Sequence, residues 1–330
     1  MLPVITALEL ARYRAFRDPQ SVALARLTLV YGENNSGKSA LVRLPYLLAS
    51  SRTVGRCGLE LDPRDPQRRL FSGARYRDIA WRGALPEDEL ADMQLGLTLS
   101  DETSWRWQLQ WPDSVSAEGE MIQRLEVKLP TAQQSELLEL LERRSYLPQD
   151  FVYASAGGRV PVVFDGLIPR SGLGSGGEFA RASLGATLER VTWLGALRAG
   201  PGRSVQEGLR REIVGNGGGA ETVVLADKDV LRRVSEWYVT HTGFAVVTRS
   251  LGDDLRRVVL QASGQYDVPF PDAGEGLQQC FSVVVALEAL RQKGGLLIIE
   301  EPESHLHPKL QAALAELIVS VLEDLSLIHI

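Results

Sequence analysis

Cysteine is scarce: Cys57 and Cys280 are the only two in 330 residues, and they form no C-x-x-C pair. That excludes a disulfide framework or a zinc ribbon and fits a reducing compartment. Histidine is equally sparse, with four residues. His305 and His307 stand two apart and do not share a helix face, so they do not read as a metal pair. The N-terminus lacks a basic stretch followed by an apolar one, which argues against a secretory leader. No apolar run approaches the roughly 20 residues of a membrane helix. Heptads and internal repeats are missing, which excludes long coiled-coil arms and solenoids. A net charge of −6 argues against a broad nucleic-acid face, although a local basic groove can sit within an acidic total. What remains is an ordinary globular composition, with 44% hydrophobic and 24% charged residues, long enough for one large or two modest domains. A soluble, cytoplasmic protein without a membrane partner is expected.

The most informative stretch is Gly32-Glu33-Asn34-Asn35-Ser36-Gly37-Lys38-Ser39, a G-x-x-x-x-G-K-S phosphate-binding loop. The β-prone run Leu27–Tyr31 precedes it as the expected feeding strand, and Ala40 follows in an expected helix to about residue 49. Gly32 and Gly37 let the backbone wrap a phosphate, and loop N–H groups at a helix start favour the anion. Lys38 supplies a point charge to the β- and γ-phosphates, and the Ser39 hydroxyl is placed to ligate Mg²⁺. The nucleotide-binding set thus runs from Gly32 through Glu33, Asn34, Asn35, Ser36, Gly37, Lys38 and Ser39 to Ala40.

In chain order, a first strand is expected over residues 4–10 and a second near 21–24. Tyr13 and Phe16 read as core rings in preference to an adenine platform. Residues 51–78 are arginine-rich and turn-rich, with Pro63, Pro66 and Gly73; Gln67 is the position that fits a γ-phosphate-sensing glutamine. From Met93 the apolar period becomes two. Leu95, Leu97 and Leu99, a polar turn Ser100–Thr103, then Trp105, Trp107, Leu109 and Trp111 spell an antiparallel hairpin with one apolar face. Another strand follows at 122–129. Residues 133–146, with Leu137, Leu138, Leu140 and Leu141 before Pro148, read as an amphipathic helix. Strands are expected at 151–154, 160–164, 191–198, 244–248 and 255–261, and helices at 178–189 and 228–241. The glycine runs Gly172–Gly177 and Gly215–Gly219 read as flexible loops.

A second strong pattern lies near the end. Leu296–Ile299 is a fully apolar strand of the kind buried in parallel sheets, and it ends in Glu300-Glu301-Pro302-Glu303. Acids at the tip of a buried strand need a reason, because unpaired charge is costly to bury and strand tips are where α/β sheets hold ligands. Glu300 fits the acid that holds Mg²⁺, and Glu301 fits the base that orients or deprotonates the attacking water. Pro308 opens a helix to about 325. Between the two patterns, Asp272-Ala273-Gly274-Glu275-Gly276-Leu277-Gln278-Gln279 places a glycine loop before a helix, a second anion-favouring N-terminus with Gly274, Gly276 and Gln279 as binding positions.

On these three segments the chain resembles the ABC-type ATPases of the SMC, RecF and OLD kind, most of all the OLD-like ATPases often associated with phage defence. Gly32–Ser39 resembles Walker A, Asp272–Gln279 the signature, and Leu297–Pro308 Walker B. Leu8–Phe16 is similar to the first strand of that family, and Leu194-Gly195-Ala196-Leu197-Arg198 to a Leu-Gly-Pro-Leu-Arg stretch; residues 51–190 match poorly. The resemblance implies an α/β fold: an ABC-type P-loop NTPase head with a mostly parallel core sheet, an antiparallel β subdomain and an inserted α+β region. The implied domains are 1–50 with Walker A, 51–190 as the inserted region, and 191–330 with signature and Walker B. It also implies two protomers that sandwich ATP and Mg²⁺, with the loop of one facing the signature of the other, and opening on hydrolysis. Lys38 and Glu301 would be catalytic, and Ser39 and Glu300 would hold the metal.

Three departures stand out. Gln278 replaces the usual serine, Glu300 replaces the usual aspartate, and Leu325–Ile330 does not supply a Thr-His-Ser switch, so the sequence is expected to be a fragment. The reading that follows is an ATPase that dimerises on ATP and licenses a partner, such as a nuclease acting on foreign DNA. The alternative is an ATP-gated DNA clamp in repair; a P-loop kinase with Glu301 as base is a third class.

Overall fold

The computed structural model describes residues 3–54, 57–61, 70–71, 76–81, 92–110, 121–130, 135–143, 151–174, 176–206, 212–262 and 266–324. Gln67, Pro63, Pro66, Gly73, Trp111, Pro148 and Leu325–Ile330 lie outside them. The chain divides into two compact units between Val191 and Thr192, and the fold is mixed α/β.

The first unit is built on an eight-stranded sheet in the order β2-β1-β3-β4-β5-β6-β7-β8. Its strands are β1 (Ile5–Ala11), β2 (Gln20–Ala23), β3 (Met93–Leu99), β4 (Ser104–Gln110), β5 (Met121–Lys128), β6 (Glu136–Arg143), β7 (Phe151–Ser155) and β8 (Gly158–Pro161). Every neighbouring pair is antiparallel. A mostly parallel core sheet is therefore not what this unit contains. The physical reason lies in the connections: short polar turns such as Ser100–Thr103, closed by the Leu99 and Thr103 backbones, can only return a strand antiparallel. Period two decides the faces. Leu95, Leu97, Leu99, Trp105, Trp107 and Leu109 are all at most 1% exposed, so this face, with Trp105 and Trp107, is core. Ile122 and Leu125 are both buried although three apart; a bulge at Gln108/Leu109 resets the phase between them. The same unit contains α1 (Lys38–Ser50), α2 (Tyr76–Ile79), the short strands β9 (Phe164–Asp165) and β10 (Ile168–Pro169), and α3 (Gly177–Leu188).

Three local expectations fail here. Residues 136–143 form β6, not a helix. Their leucines fit a helical stripe, but pairing with β5 and β7 satisfies the backbone instead, and only Leu138 is fully buried while Leu141 is 50% exposed. Residues 27–31 form no strand; Leu29 and Tyr31 are 62% and 83% exposed. A β-prone run becomes a buried strand only where a neighbouring ladder takes its hydrogen bonds. The glycine run 172–177 is also not a loose loop among its described residues: a Cβ on Gly172 would lie 2.7 Å from Val162, and the Gly174 N–H donates to Glu136 at 3.0 Å.

The second unit packs α4 (Ala220–Ala226), α5 (Lys228–Thr242), α6 (Glu275–Lys293) and α7 (Pro308–Asp324) with two small sheets. One pairs β11 (Val191–Leu194) with β16 (Leu296–Ile299); the other contains β12 (Val205–Gln206), β13 (Phe244–Ser250), β14 (Leu255–Ala262) and β15 (Tyr266–Pro269). The middle of helix α6 is buried: Cys280, Phe281, Val283, Val284, Val285 and Leu287 share one core with Trp237, Tyr238, Phe270, Leu314 and Leu317.

Candidate functional site

The phosphate-loop segment sits in the first unit. Gly37 caps α1 with φ 95° and ψ 3°, and no side chain caps this helix start. Gly32 and Asn35 also take positive φ, 155° and 64°. The loop folds back so that the Lys38 ammonium donates to the Gly32 carbonyl at 2.7 Å and the Glu33 carbonyl at 2.6 Å. Phe16 packs beneath: a Cβ on Gly37 would meet its ring at 3.0 Å. Glu33, Asn34, Asn35, Ser36 and Ser39 are exposed, and Ala40 is buried in the first turn. Uncapped N–H groups at a helix start, with one ammonium alongside, form an anion cradle, and an exposed hydroxyl is a hard donor that suits Mg²⁺. Tyr13 is fully buried in the neighbouring turn, where burial pushes its phenol up to about 12, partly offset by Arg14 and Arg43.

The acidic segment sits in the second unit. β16 ends at Ile299, and the Glu300 N–H continues the pairing by donating to the Leu194 carbonyl at 2.9 Å. The Glu300 carboxylate is half-buried and accepts from the Trp193 indole N–H at 2.7 Å. Trp193 lies flat because Gly215 leaves it room; a Cβ there would come within 2.0 Å of the ring. Glu301 takes φ 47° and is exposed, with Ser304 donating to its carboxylate at 3.0 Å. The tight turn thus sends Glu300 back toward Trp193 and leaves Glu301 facing solvent.

The α6 start stands in the same unit. Gly274 precedes it without a side-chain cap. Gly276 cannot carry a side chain, since a Cβ would lie 2.9 Å from the His305 carbonyl. Gln278 donates back to the Ala273 carbonyl at 2.9 Å. Gln279 is buried, and its side-chain carbonyl accepts from the Arg198 N–H at 3.1 Å. Of the sequence-derived positions in this unit, Glu300, Glu301, Gly274, Gly276 and Gln279 are therefore gathered at one end of α6 and β16.

Sequence reasoning missed two residues as members of the site. Trp193 holds Glu300, and Arg198, only 3% exposed, holds almost everything else. Its guanidinium donates to the carbonyls of Gly195 (2.7 Å), Gln279 (3.3 Å), Glu300 (2.8 Å) and Glu301 (3.1 Å). Burial draws its pKa below the ordinary arginine value, opposed by Cys280, Glu303 and Glu301. The only sequence signal was the Leu194–Arg198 stretch. Among the described residues no group of three or more His, Cys, Asp or Glu is placed to hold a metal, and no helix is long and apolar enough to cross a membrane.

Residues 203–328 match the model of a family described as "AAA domain, putative AbiEii toxin, Type IV TA system". No curated protein matches. Among solved structures the chain is similar to the SMC head domain from Thermotoga maritima, at 13% identity and a TM-score of 0.43, over 99% of this chain and 88% of that one. It is similar too to an SMC head bound to the C-terminal winged-helix domain of ScpA, at 12% identity and a TM-score of 0.48, over 99% and 89%. A third is an SMC head with extended coiled coil bound to the C-terminal domain of ScpA from Pyrococcus furiosus, at 10% identity and 0.47, over 99% and 89%.

Proposed function

We propose that this protein binds and hydrolyses ATP, reading the phosphate loop as the nucleotide site and the acidic turn after β16 as the source of the hydrolytic base. The observation that carries the reading is the start of α1, where left-handed Gly37 hands an uncapped helix terminus to Lys38 and Ser39. The match of residues 203–328 to an AAA-domain family supports it from the other unit. Lys38 would bind the β- and γ-phosphates, and the loop N–H groups with Gly274, Gly276 and the α6 start would supply donors to phosphate oxygens. Ser39 and Glu300 would hold Mg²⁺, which when bound neutralises charge on the phosphates. Glu301, exposed and fixed by its turn, would accept the proton of the attacking water.

In the same reading ATP joins two copies of the chain into a dimer whose state licenses a partner protein, such as a nuclease in phage defence. Sedimentation with and without Mg²⁺-ATP tests this. Wild type shifts to a dimer on ATP, and Lys38→Ala neither binds ATP nor shifts. A Lys38→Ala protein that binds ATP as wild type does would remove the loop from the function. DNA binding that needs ATP and weakens steeply with salt would favour an ATP-gated clamp on DNA instead.

A further inference from the structure

We infer that Arg198 is a positioning residue that ties the first turns of α6 to the acidic turn after β16, so that Glu301 is aimed only while α6 is in place. The inference rests on the ATPase reading for its consequence and on hydrogen bonds for its geometry. Arg198 contacts two segments that are more than twenty residues apart in sequence. On one side are the Gln279 side chain and carbonyl, within α6. On the other are the carbonyls of Glu300 and Glu301. The Gly195 carbonyl anchors the guanidinium to its own segment.

The chemistry requires an arginine. Carbonyls on three sides at 2.7 to 3.3 Å need several donors in a fixed plane, and only a guanidinium offers five. A lysine is a single point that cannot span both segments. A buried cation whose hydrogen bonds all go to neutral carbonyls is a poor stabiliser in itself. Its value lies in the connection it enforces, with Glu301 and Glu303 near enough to favour the charge. Trp193 completes the device from the same segment by fixing the Glu300 carboxylate at 2.7 Å. One strand end thereby orients both acids, one through its side chain and the other through its backbone.

Arg198→Lys, which keeps the charge, and Arg198→Gln, which keeps a shorter planar donor, test this in the full chain. Both should still bind ATP through the untouched phosphate loop, with any rise in KM from the loosened α6 start smaller than the loss in kcat. Both should lower kcat roughly ten- to a hundredfold, the scale of an ångström-sized misplacement of a reacting group. Combining Arg198→Lys with Glu301→Gln should lower kcat no further than Glu301→Gln alone, since a residue acting through Glu301 has nothing left to position. Amide exchange without nucleotide gives a readout independent of turnover: residues 275–281 and 300–304 should both exchange faster in Arg198→Lys while α5 and β14 keep their protection. Unchanged kcat in both variants, fully additive losses in the double variant, or faster exchange in only one of the two segments would overturn the inference. Were wild type to show no turnover at all, the ATPase reading would fail, and the exchange pattern would still decide whether Arg198 ties the two segments.

Discussion

Gly37 meets two demands at one backbone position. Its φ of 95° belongs to the left-handed region, and Phe16 lies where a Cβ would have to go. Gly37→Ala should therefore destabilise the first unit by about 1–3 kcal/mol, read as a lower Tm, and weaken ATP binding at the same time. A thermally neutral Gly37→Ala protein would mean that the loop relaxes without strain. Trp193 makes a second prediction. Trp193→Phe keeps the ring against Gly215 but removes the donor to Glu300, so it should reduce Mg²⁺-dependent turnover more than Mg²⁺-free nucleotide binding. Equal losses in both would show that the ring, not the N–H, is what matters. The loop residues were visible in the sequence because their spacing is local: Gly32, Lys38 and Ser39 act within eight positions. Trp193 and Arg198 were not, since their partners Glu300 and Glu301 stand 107 and 103 positions away.

β6 shows how an element is decided outside itself. Leu137, Leu138, Leu140 and Leu141 fit a helical stripe, yet the chain pairs Arg124 with Glu139 and Leu125 with Leu138 across the ladder to β5. Leu138→Ala should cost about 2–5 kcal/mol, as for a fully buried leucine, whereas Leu141→Ala should stay within about 0.5 kcal/mol. Similar losses at both positions, measured by denaturant titration, would favour a helix that buries both. Helices with local signals read true. A helix expected over 228–241 is α5, whose N-cap Asp227 accepts from the Asp229 and Val230 N–H groups, and α7 opens at Pro308 as expected. The run 27–31 fails for the reason β6 succeeds: strand propensity is only permission, and a neighbour must supply the ladder.

The whole molecule carries its alkaline sensitivity in buried acids of both units. Burial pushes the Cys280 thiol up to about 11, beside the Tyr238 hydroxyl and partly offset by it, and the Tyr13 phenol to about 12. The folded chain therefore keeps protons that the unfolded chain releases near 9 and 10. Stability from these groups is fully present below those values and is lost as pH rises, first through about 9–11 for Cys280 and then about 10–12 for Tyr13. Denaturation midpoints should fall across that window, and Cys280→Ser should remove the earlier part of the fall. A midpoint flat to pH 11 would contradict both burials.

At this scale the sequence marked two distant segments as candidates for phosphate chemistry, but not that the larger sheet is antiparallel, because strand order depends on pairing rather than on any one strand. The most direct test of the account is single-turnover hydrolysis by the Glu301→Gln protein beside its equilibrium ATP affinity. Affinity should stay within about threefold of wild type while hydrolysis slows by roughly 10²–10⁴, the usual contribution of a general base. Hydrolysis at the wild-type rate, or ATP binding lost with the carboxylate, would contradict it.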